Sequence, residues 1–175
     1  MIKLLIAALF LSSLSWARVQ TYTFDGKKFS VDLPKDWEGN KNLLGLPVSF
    51  IAPMQKDGTR PVVGLVTPGP KAKDVTFAKD PTEKALKEYK EMKTIWAKDN
   101  AAKIADFLPP SEKKTKQGRV LTLGYRYEKK GRRYTERNFY ILCGKQFYFA
   151  VGLVSAPNES YTDDMDHILG SLKCF

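Results

Sequence analysis

Only one histidine, His167, is available for acid–base or metal chemistry in this 175-residue chain. Asp163 and Asp164 precede it by four and three residues, so a helix would place imidazole and carboxylate on the same side. These three side chains are weak candidates for a divalent metal site. The alternative, which we favour, is that acids in a first helical turn complement the helix dipole. A single histidine also excludes histidine-rich zinc sites and leaves little for a hydrolytic triad.

Other motifs with a catalytic association lack the companions that they need. Ser111 and Lys114 form a Ser-x-x-Lys sequence, but the Ser-Asp-Asn and Lys-Thr-Gly motifs of penicillin-recognising enzymes are absent. The sequence contains no phosphate-binding glycine loop and no Gly-x-Ser-x-Gly elbow. Asn158 and Ser160 belong to an N-glycosylation sequon, although Ser160 is also placed to cap the last predicted helix. We therefore predict no catalytic residues, no cofactor and no enzymatic activity.

Residues 1–17 have the composition of a secretory signal peptide. Lys3 precedes an apolar run, and small residues precede a predicted cleavage site between Ala17 and Arg18. The run is shorter than the roughly 20 residues that a transmembrane helix needs, and no later stretch is long and apolar enough. The sequence therefore predicts an exported protein, periplasmic in a Gram-negative bacterium or secreted, with one soluble domain at 18–175.

The net charge of +10 favours an anionic partner. Nucleic acid is not expected, because an exported protein seldom meets it, so we expect a protein or an anionic cell-envelope surface. The open alternative is that the charge only maintains solubility. Basic residues are dense in the segment EKKGRRYTER, which spans residues 128–137. The candidate binding residues of this segment are Lys129, Lys130, Arg132, Arg133 and Arg137.

The first half of the domain is predicted to contain short strands. Asp25-Gly26 and Asp57-Gly58 each predict a hairpin turn between apolar runs. The strand Phe29–Leu33 should end at Pro34, and Trp37 should fold back onto the core. The runs on either side of the second turn are Pro47–Ala52 and Pro61–Thr67.

A helix is predicted from Pro81 to Lys98. Asp80 is a suitable N-cap, and Glu83 stands three residues after it. The lysines and glutamates of this segment are interpreted as a solvated face. Its apolar face is expected to contain Ala85, Leu86, Tyr89, Met92 and Trp96.

The second half predicts a three-stranded meander followed by a helix. A short strand is expected at Ile104–Leu108, a break at Pro109-Pro110, and a mobile polar loop at Ser111–Gln117. The meander strands are predicted at Val120–Tyr127, Tyr134–Leu142 and Gln146–Val154, with turns at 130–132 and 144–145. The basic segment is thus predicted to be the tip and shoulder of a hairpin.

The third meander strand is apolar on both faces, which predicts that both sides of the sheet are covered. Ala150 and Gly152 are small enough to let a helix approach closely. The last helix, capped by Ser160, supplies a core stripe that consists of Tyr161, Met165, Ile168, Leu169 and Leu172.

Four segments resemble the PsbP-like family: FSVDLPKDWEG (Phe29–Gly39), the strand end Phe50–Pro53, the helix after Asp80, and the closing ILGSLKC. The resemblance covers most of the chain after residue 17. It implies an α+β fold in which a twisted antiparallel β-sheet is sandwiched by α-helices, with an N-terminal hairpin. Members of the family include photosystem-associated lumenal subunits, a nuclear GTPase-binding protein and chaperones for secreted bacterial effectors. This implies binding without catalysis, but no residues here match the photosystem or GTPase contacts.

Cys143 and Cys174 are the only cysteines, and export would deliver them to an oxidising compartment. We predict that they form a disulfide, since the last helix must cross the sheet and can bring its end near the turn after Leu142. A redox-active pair is disfavoured, because the cysteines are far apart in sequence and lack a Cys-x-x-Cys context.

The functional expectation is an exported, non-enzymatic binding or accessory protein that docks through its basic hairpin end. One alternative is a small metal-dependent protein or enzyme that uses Asp163, Asp164 and His167. Another is a chaperone whose sheet holds an apolar export substrate.

Overall fold

The computed structural model describes residues 18–24, 26–43, 45–66, 83–115, 118–143 and 146–175. The predicted signal peptide, residue 25 of the first predicted turn and the predicted start of the first helix lie outside these ranges. The strands are β1 (Arg18–Phe24), β2 (Lys27–Leu33), β3 (Glu38–Leu43), β4 (Leu46–Ile51), β5 (Val62–Val66), β6 (Ala102–Thr115), β7 (Gly118–Lys129), β8 (Arg132–Cys143), β9 (Gln146–Ser155) and β10 (Lys173–Cys174). The helices are α1 (Glu83–Asp99), a 3-10 helix (Ala156–Tyr161) and α2 (Thr162–Ser171). Neither α1 nor α2 is long and apolar enough to cross a bilayer.

The strands form two antiparallel sheets. The N-terminal hairpin of β1 and β2 gains β10 on its other side, which gives a three-stranded sheet. The remaining strands form a seven-stranded sheet in the order β3-β4-β5-β9-β8-β7-β6, and every neighbouring pair in it is antiparallel. The predicted hairpin between β4 and β5 and the predicted meander β7-β8-β9 are both present.

Two cores lie on opposite faces of the large sheet. The α2-side core contains Met165, Ile168 and Leu169 of α2 with side chains from the small sheet and from β4, β5, β8 and β9. The α1-side core contains Ala85 and Tyr89 of α1 with side chains from β7 and β8. The prediction of a sheet sandwiched by helices is therefore correct.

Gly152 of β9 allows the close approach of α2 that the sequence predicted. A Cβ atom added at this glycine would lie 3.3 Å from both Sδ and Cε of Met165. Trp37 is also buried as predicted, and its Nε1 donates a hydrogen bond to Asp164 at 3.0 Å. These contacts hold α2 against the sheet and the loop after β2.

The predicted break at Pro109-Pro110 is wrong. β6 continues through both prolines to Thr115, with a register shift against β7 between Leu108 and Ser111. Proline is tolerated there because β6 is an edge strand and the pairing is already interrupted by an irregularity. The segment Ser111–Thr115 is thus a strand and not a polar loop, while residues 116 and 117 lie outside the described ranges.

Two details of the predicted helices also differ from the structure. Met92 of α1 is 50% exposed, since the buried side of the helix runs through Ala85, Tyr89 and Ala97 instead. Ser160 does not cap α2, because it lies inside the preceding 3-10 helix; the N-cap position belongs to Tyr161, without a side-chain hydrogen bond. The predicted apolar stripe of α2 is nevertheless buried, with Met165, Ile168 and Leu169 at its centre.

Candidate functional site

The basic segment forms the end of the β7–β8 hairpin. Lys129 and Arg132 are the last paired residues, so the loop consists of Lys130 and Gly131 alone. Both loop residues have positive φ angles, 51° and 72°, as a two-residue turn of this hand requires. Lys130, Arg132 and Arg133 are all exposed. The turn therefore presents three cations on a short, geometrically defined tip.

Two of the five predicted binding residues have partners within the protein. Lys129 donates to Asn100 Oδ1 at 3.3 Å, and its Nζ lies 5.8 Å from the ring centroid of Trp96. Arg137 donates from Nη1 to both carboxylate oxygens of Asp166, at 3.0 and 2.8 Å. These contacts direct Lys129 toward the end of α1 and Arg137 toward α2.

The other three predicted residues, Lys130, Arg132 and Arg133, have no ion pair among the described residues. Among the described residues, no carboxylate oxygen lies within 4.0 Å of the charged nitrogens of Lys130, Arg132 or Arg133. Glu128 stands opposite Arg133 across the hairpin, yet the two do not form an ion pair. In β7, two residues before Glu128, Arg126 forms ion pairs with Asp106 and Glu159. The charge at the tip is therefore not neutralised as it is along the strands.

A groove lies between the hairpin end and the start of the 3-10 helix. Its volume is about 430 Å³. We call it the hairpin groove. The residues that line it are Gly131, Arg132 and Arg133 on one side, and Asp57, Ser155, Ala156 and Pro157 on the other.

Hydrogen bonds fix the wall of the hairpin groove that faces the arginines. Asp57 Oδ1 accepts from the backbone N–H and the hydroxyl of Thr59, at 3.0 and 2.7 Å, and Oδ2 accepts from the Ser155 hydroxyl at 3.0 Å. Asn158 Nδ2 donates to Asp57, Thr59 and Ser155 at 3.2, 2.9 and 2.8 Å. We call these four residues the polar cluster. The hydrogen bonds from Thr59, with smaller contributions from Ser155 and Asn158, hold the pKa of Asp57 well below its ordinary value.

The polar cluster was not predicted from the sequence. Asp57 was recognised only as a turn residue, whereas its partners Ser155 and Asn158 are 98 and 101 residues further along the chain. The asparagine of the N-glycosylation sequon, Asn158, belongs to this cluster. Its side chain is buried, and its amide donates hydrogen bonds to three oxygens.

The weak metal candidates on α2 have other neighbours. Asp164 accepts the hydrogen bond from Trp37, and His167 Nε2 lies 3.5 Å from Asp32 Oδ2 of β2. In the part of the chain that the structure describes, no group of three or more His, Cys, Asp or Glu side chains is arranged to hold a metal ion. Asp163, Asp164 and His167 are therefore not brought together as a ligand set there.

Comparison with known proteins identifies the architecture. No protein-family model and no curated protein sequence matches this chain. The solution structure of cyanobacterial PsbP from Synechocystis sp. PCC 6803 is similar, with a TM-score of 0.56 and 15% identity over 93% of this chain and 96% of that one. The fold is PsbP-like. The crystal structure of LpqN, a protein involved in cell envelope biogenesis of Mycobacterium tuberculosis, is similar with a TM-score of 0.53 and 13% identity over 90% of each chain. Identities this low show a shared fold and nothing further.

The PsbP-like sheet of this chain carries a second polar group, beneath α1. Lys93 Nζ donates to Glu136 Oε1 at 2.8 Å and to Asn138 Oδ1 at 3.2 Å. Asn138 Nδ2 donates in turn to Glu136 at 3.0 Å and to the Tyr89 hydroxyl at 3.3 Å. The side chains of Lys93 and Glu136 are only 19% and 11% exposed. Lys93 Nζ also lies 5.8 Å and 5.1 Å from the ring centroids of Tyr89 and Tyr125. Because the network is largely buried, we assign it to stability and not to binding.

Proposed function

We propose that this chain is an exported, non-enzymatic accessory protein that binds an anionic protein or cell-envelope surface through the end of the β7–β8 hairpin. The observation that carries the proposal is the contrast in charge pairing along β7 and β8. Arg126 and Arg137 have carboxylate partners within the fold, whereas Lys130, Arg132 and Arg133 have none among the described residues. A cluster of unneutralised cations on a fixed turn attracts and orients an anionic partner.

Further support comes from the N-terminal sequence, the net charge and the structural neighbours. The N-terminal composition favours export, and the net charge of +10 favours anionic partners over cationic ones. One protein of similar fold, LpqN, is involved in cell envelope biogenesis. A role in the cell envelope is therefore part of the proposal.

Reversal of the three tip charges tests this function. In the variant Lys130→Glu/Arg132→Glu/Arg133→Glu, the melting temperature should stay nearly unchanged, because exposed charges contribute about 0–1 kcal/mol at most. Binding to a purified cell-envelope fraction should weaken and lose most of its salt dependence. Sedimentation with that fraction at several salt concentrations measures both effects.

A control variant with the same change in charge isolates the contribution of the tip. Lys41, Lys113 and Lys173 are exposed lysines on β3, β6 and β10, away from the hairpin end. Reversal of these three should reduce envelope binding much less than reversal at the tip. Equal losses in the two triple variants would mean that only net charge matters, and unchanged binding in the tip variant would refute the proposal.

A further inference from the structure

The shape of the hairpin groove narrows the class of partner. Its volume of about 430 Å³ lies in the range of pockets that enclose side chains or small ligands. Of the three cations at the hairpin tip, Arg132 and Arg133 line the groove and Lys130 does not. A flat surface such as a bilayer would touch the rim of the groove but would not fill it. An occupant that enters the groove must therefore be narrow.

The chemistry of the two walls is mixed. Arg132 and Arg133 belong to one wall. As consecutive residues of β8 they point to opposite faces of the sheet, and Arg133 shares its face with Thr135, which contacts Glu159 of the 3-10 helix. The guanidinium group of Arg133 can match a carboxylate with paired N–H donors. The opposite wall carries the apolar side chains of Ala156 and Pro157 beside the ionised Asp57, whose oxygens already accept hydrogen bonds from the polar cluster. A dense array of phosphates would place negative charge next to Asp57. A peptide that alternates acidic and apolar side chains avoids this repulsion and meets both walls.

The groove is also preorganised. Asp57, Ser155 and Asn158 come from the β4–β5 loop, the end of β9 and the 3-10 helix, and their hydrogen bonds hold these three segments together. The facing wall consists of Gly131 of the two-residue turn and of Arg132 and Arg133, whose backbone is paired with β7. Little ordering of the protein is needed when a ligand enters, so more of the contact energy appears as affinity.

From these observations we infer that the hairpin groove binds an acidic segment of a partner protein, with a carboxylate held by Arg133 and an adjacent apolar side chain against Ala156 and Pro157. The inference rests on the proposed function and specifies its partner as a peptide chain instead of a membrane.

A substitution that fills the groove without changing charge tests the inference. The probe is a fluorescein-labelled peptide of alternating glutamate and alanine, titrated against the mature chain with anisotropy as the readout; the same peptide with glutamine in place of glutamate is the uncharged control. Ala156→Trp should weaken binding of the glutamate peptide about tenfold or more, because the side chain occupies the groove. Arg133→Gln should have a similar effect through the loss of a charge-assisted hydrogen bond.

Vesicles of phosphatidylglycerol in phosphatidylcholine serve as the second probe. Ala156→Trp should leave vesicle binding unchanged, since it alters no charge. Ala156→Leu provides a smaller filling residue if the tryptophan variant has a lower melting temperature.

The outcomes separate the two proposals. If Ala156→Trp and Ala156→Leu bind the glutamate peptide as the parent chain does, while reversal of the tip charges abolishes binding, the groove inference is wrong and the proposed function stands. The groove inference is also wrong, with the proposed function intact, if the glutamine peptide binds equally well or if vesicles bind and the peptide does not. If reversal of the tip charges affects neither probe nor the envelope fraction, both proposals fail.

Discussion

The two cores of this protein take alternate residues from the same strands but are filled by different chemistry. On the α2 side, Phe139 and Ile141 of β8 contact an interior made mainly of phenylalanine and aliphatic side chains. On the α1 side, Tyr140 belongs to an interior rich in tyrosine, and Glu136 and Asn138 are buried within it. Among the residues that the structure describes, only the second core contains an ion pair whose two side chains are both largely buried.

This difference determines how each core responds to its environment. The α2-side core depends on close packing, as the contact between Gly152 and Met165 illustrates. The α1-side core depends on phenols that must stay protonated and on charges that must stay paired. Changes in pH should therefore act first through the α1 side, and changes in covalent constraint or packing first through the α2 side.

The largest expected effect is unfolding at alkaline pH through the α1-side core. Burial raises the pKa of four of its tyrosines above the ordinary value of 10.0, and the charge of Glu136 adds to the shift. The four are Tyr89, Tyr125, Tyr127 and Tyr140. Each unit by which a folded-state pKa exceeds the unfolded value corresponds to about 1.4 kcal/mol. Together, the ionisation of these four phenols at alkaline pH should unfold the whole protein.

The sign of the effect follows from proton binding. Below pH 10 the phenols are protonated in the folded and unfolded states, so their contribution to the free energy of unfolding is fully present. Above pH 10 the unfolded state ionises while the folded state does not, so stability falls as pH rises toward the raised pKa values. The phenolate absorbance of these four tyrosines should therefore appear at the same pH at which far-ultraviolet circular dichroism reports unfolding. Titration of all tyrosines near pH 10 with the fold intact would contradict this prediction.

The next largest effect is expected from the cysteines on the α2 side. Cys174 is half-buried against the α2-side core, does not carry a free thiol, and is paired through its backbone with Phe29. The ring centroid of Phe29 lies 4.9 Å from that of Tyr148 in β9. Tyr148 is two residues after Gln146, whose backbone pairs with Cys143, so the backbones of the two cysteines belong to neighbouring parts of the fold. A bridge between Cys143 and Cys174 stays a prediction, because the side chain of Cys143 lies outside the described residues.

Removal of the predicted bridge by Cys143→Ser/Cys174→Ser should cost about 3.5–4 kcal/mol, since a loop of about 30 residues would be freed in the unfolded chain. Hydrogen exchange should rise at the end of α2 and in β10 but not in α1. Reductant should reproduce the loss in the parent chain and have no effect on the double variant. Two alkylated cysteines in unreduced, periplasmically expressed protein would show that the bridge is absent.

Local patterns allowed most of this architecture to be predicted. The Asp57-Gly58 turn, the alternation of the meander strands and the stripe of α2 are properties of neighbouring residues, which is why each appears close to its predicted place. β3 was missed because Glu38–Leu43 is mostly polar and exposed; its strand conformation comes from pairing with β4. The continuation of β6 was missed because tolerance of its prolines depends on its edge position, which the local sequence does not reveal.

The candidate site was half predictable for the same reason. The cations of the hairpin tip are nearly consecutive in sequence, whereas the opposite wall of the hairpin groove is assembled from segments about 100 residues apart. For Lys93, by contrast, a role was predicted from the local sequence and was wrong. It was interpreted as part of a solvated charged face of α1, but its ammonium group reaches Glu136 of β8, which is 43 residues away.

The smallest of these effects concerns that pair, and it tests the comparison most directly. Glu136→Leu should lower the free energy of unfolding by about 2–3 kcal/mol, less than the 3–5 kcal/mol typical of a fully buried pair, because Lys93 is 19% exposed and can turn toward solvent. The double variant Lys93→Met/Glu136→Leu should recover most of the loss, since no unpaired charge remains. Asp106→Asn is the matched control, because it breaks the exposed pair with Arg126 and should cost about 1 kcal/mol or less. Urea unfolding of the four proteins gives these values. Equal losses for Glu136→Leu and Asp106→Asn would mean that burial beneath α1 adds nothing to the pair, and the distinction between the two cores would then rest on the tyrosines alone.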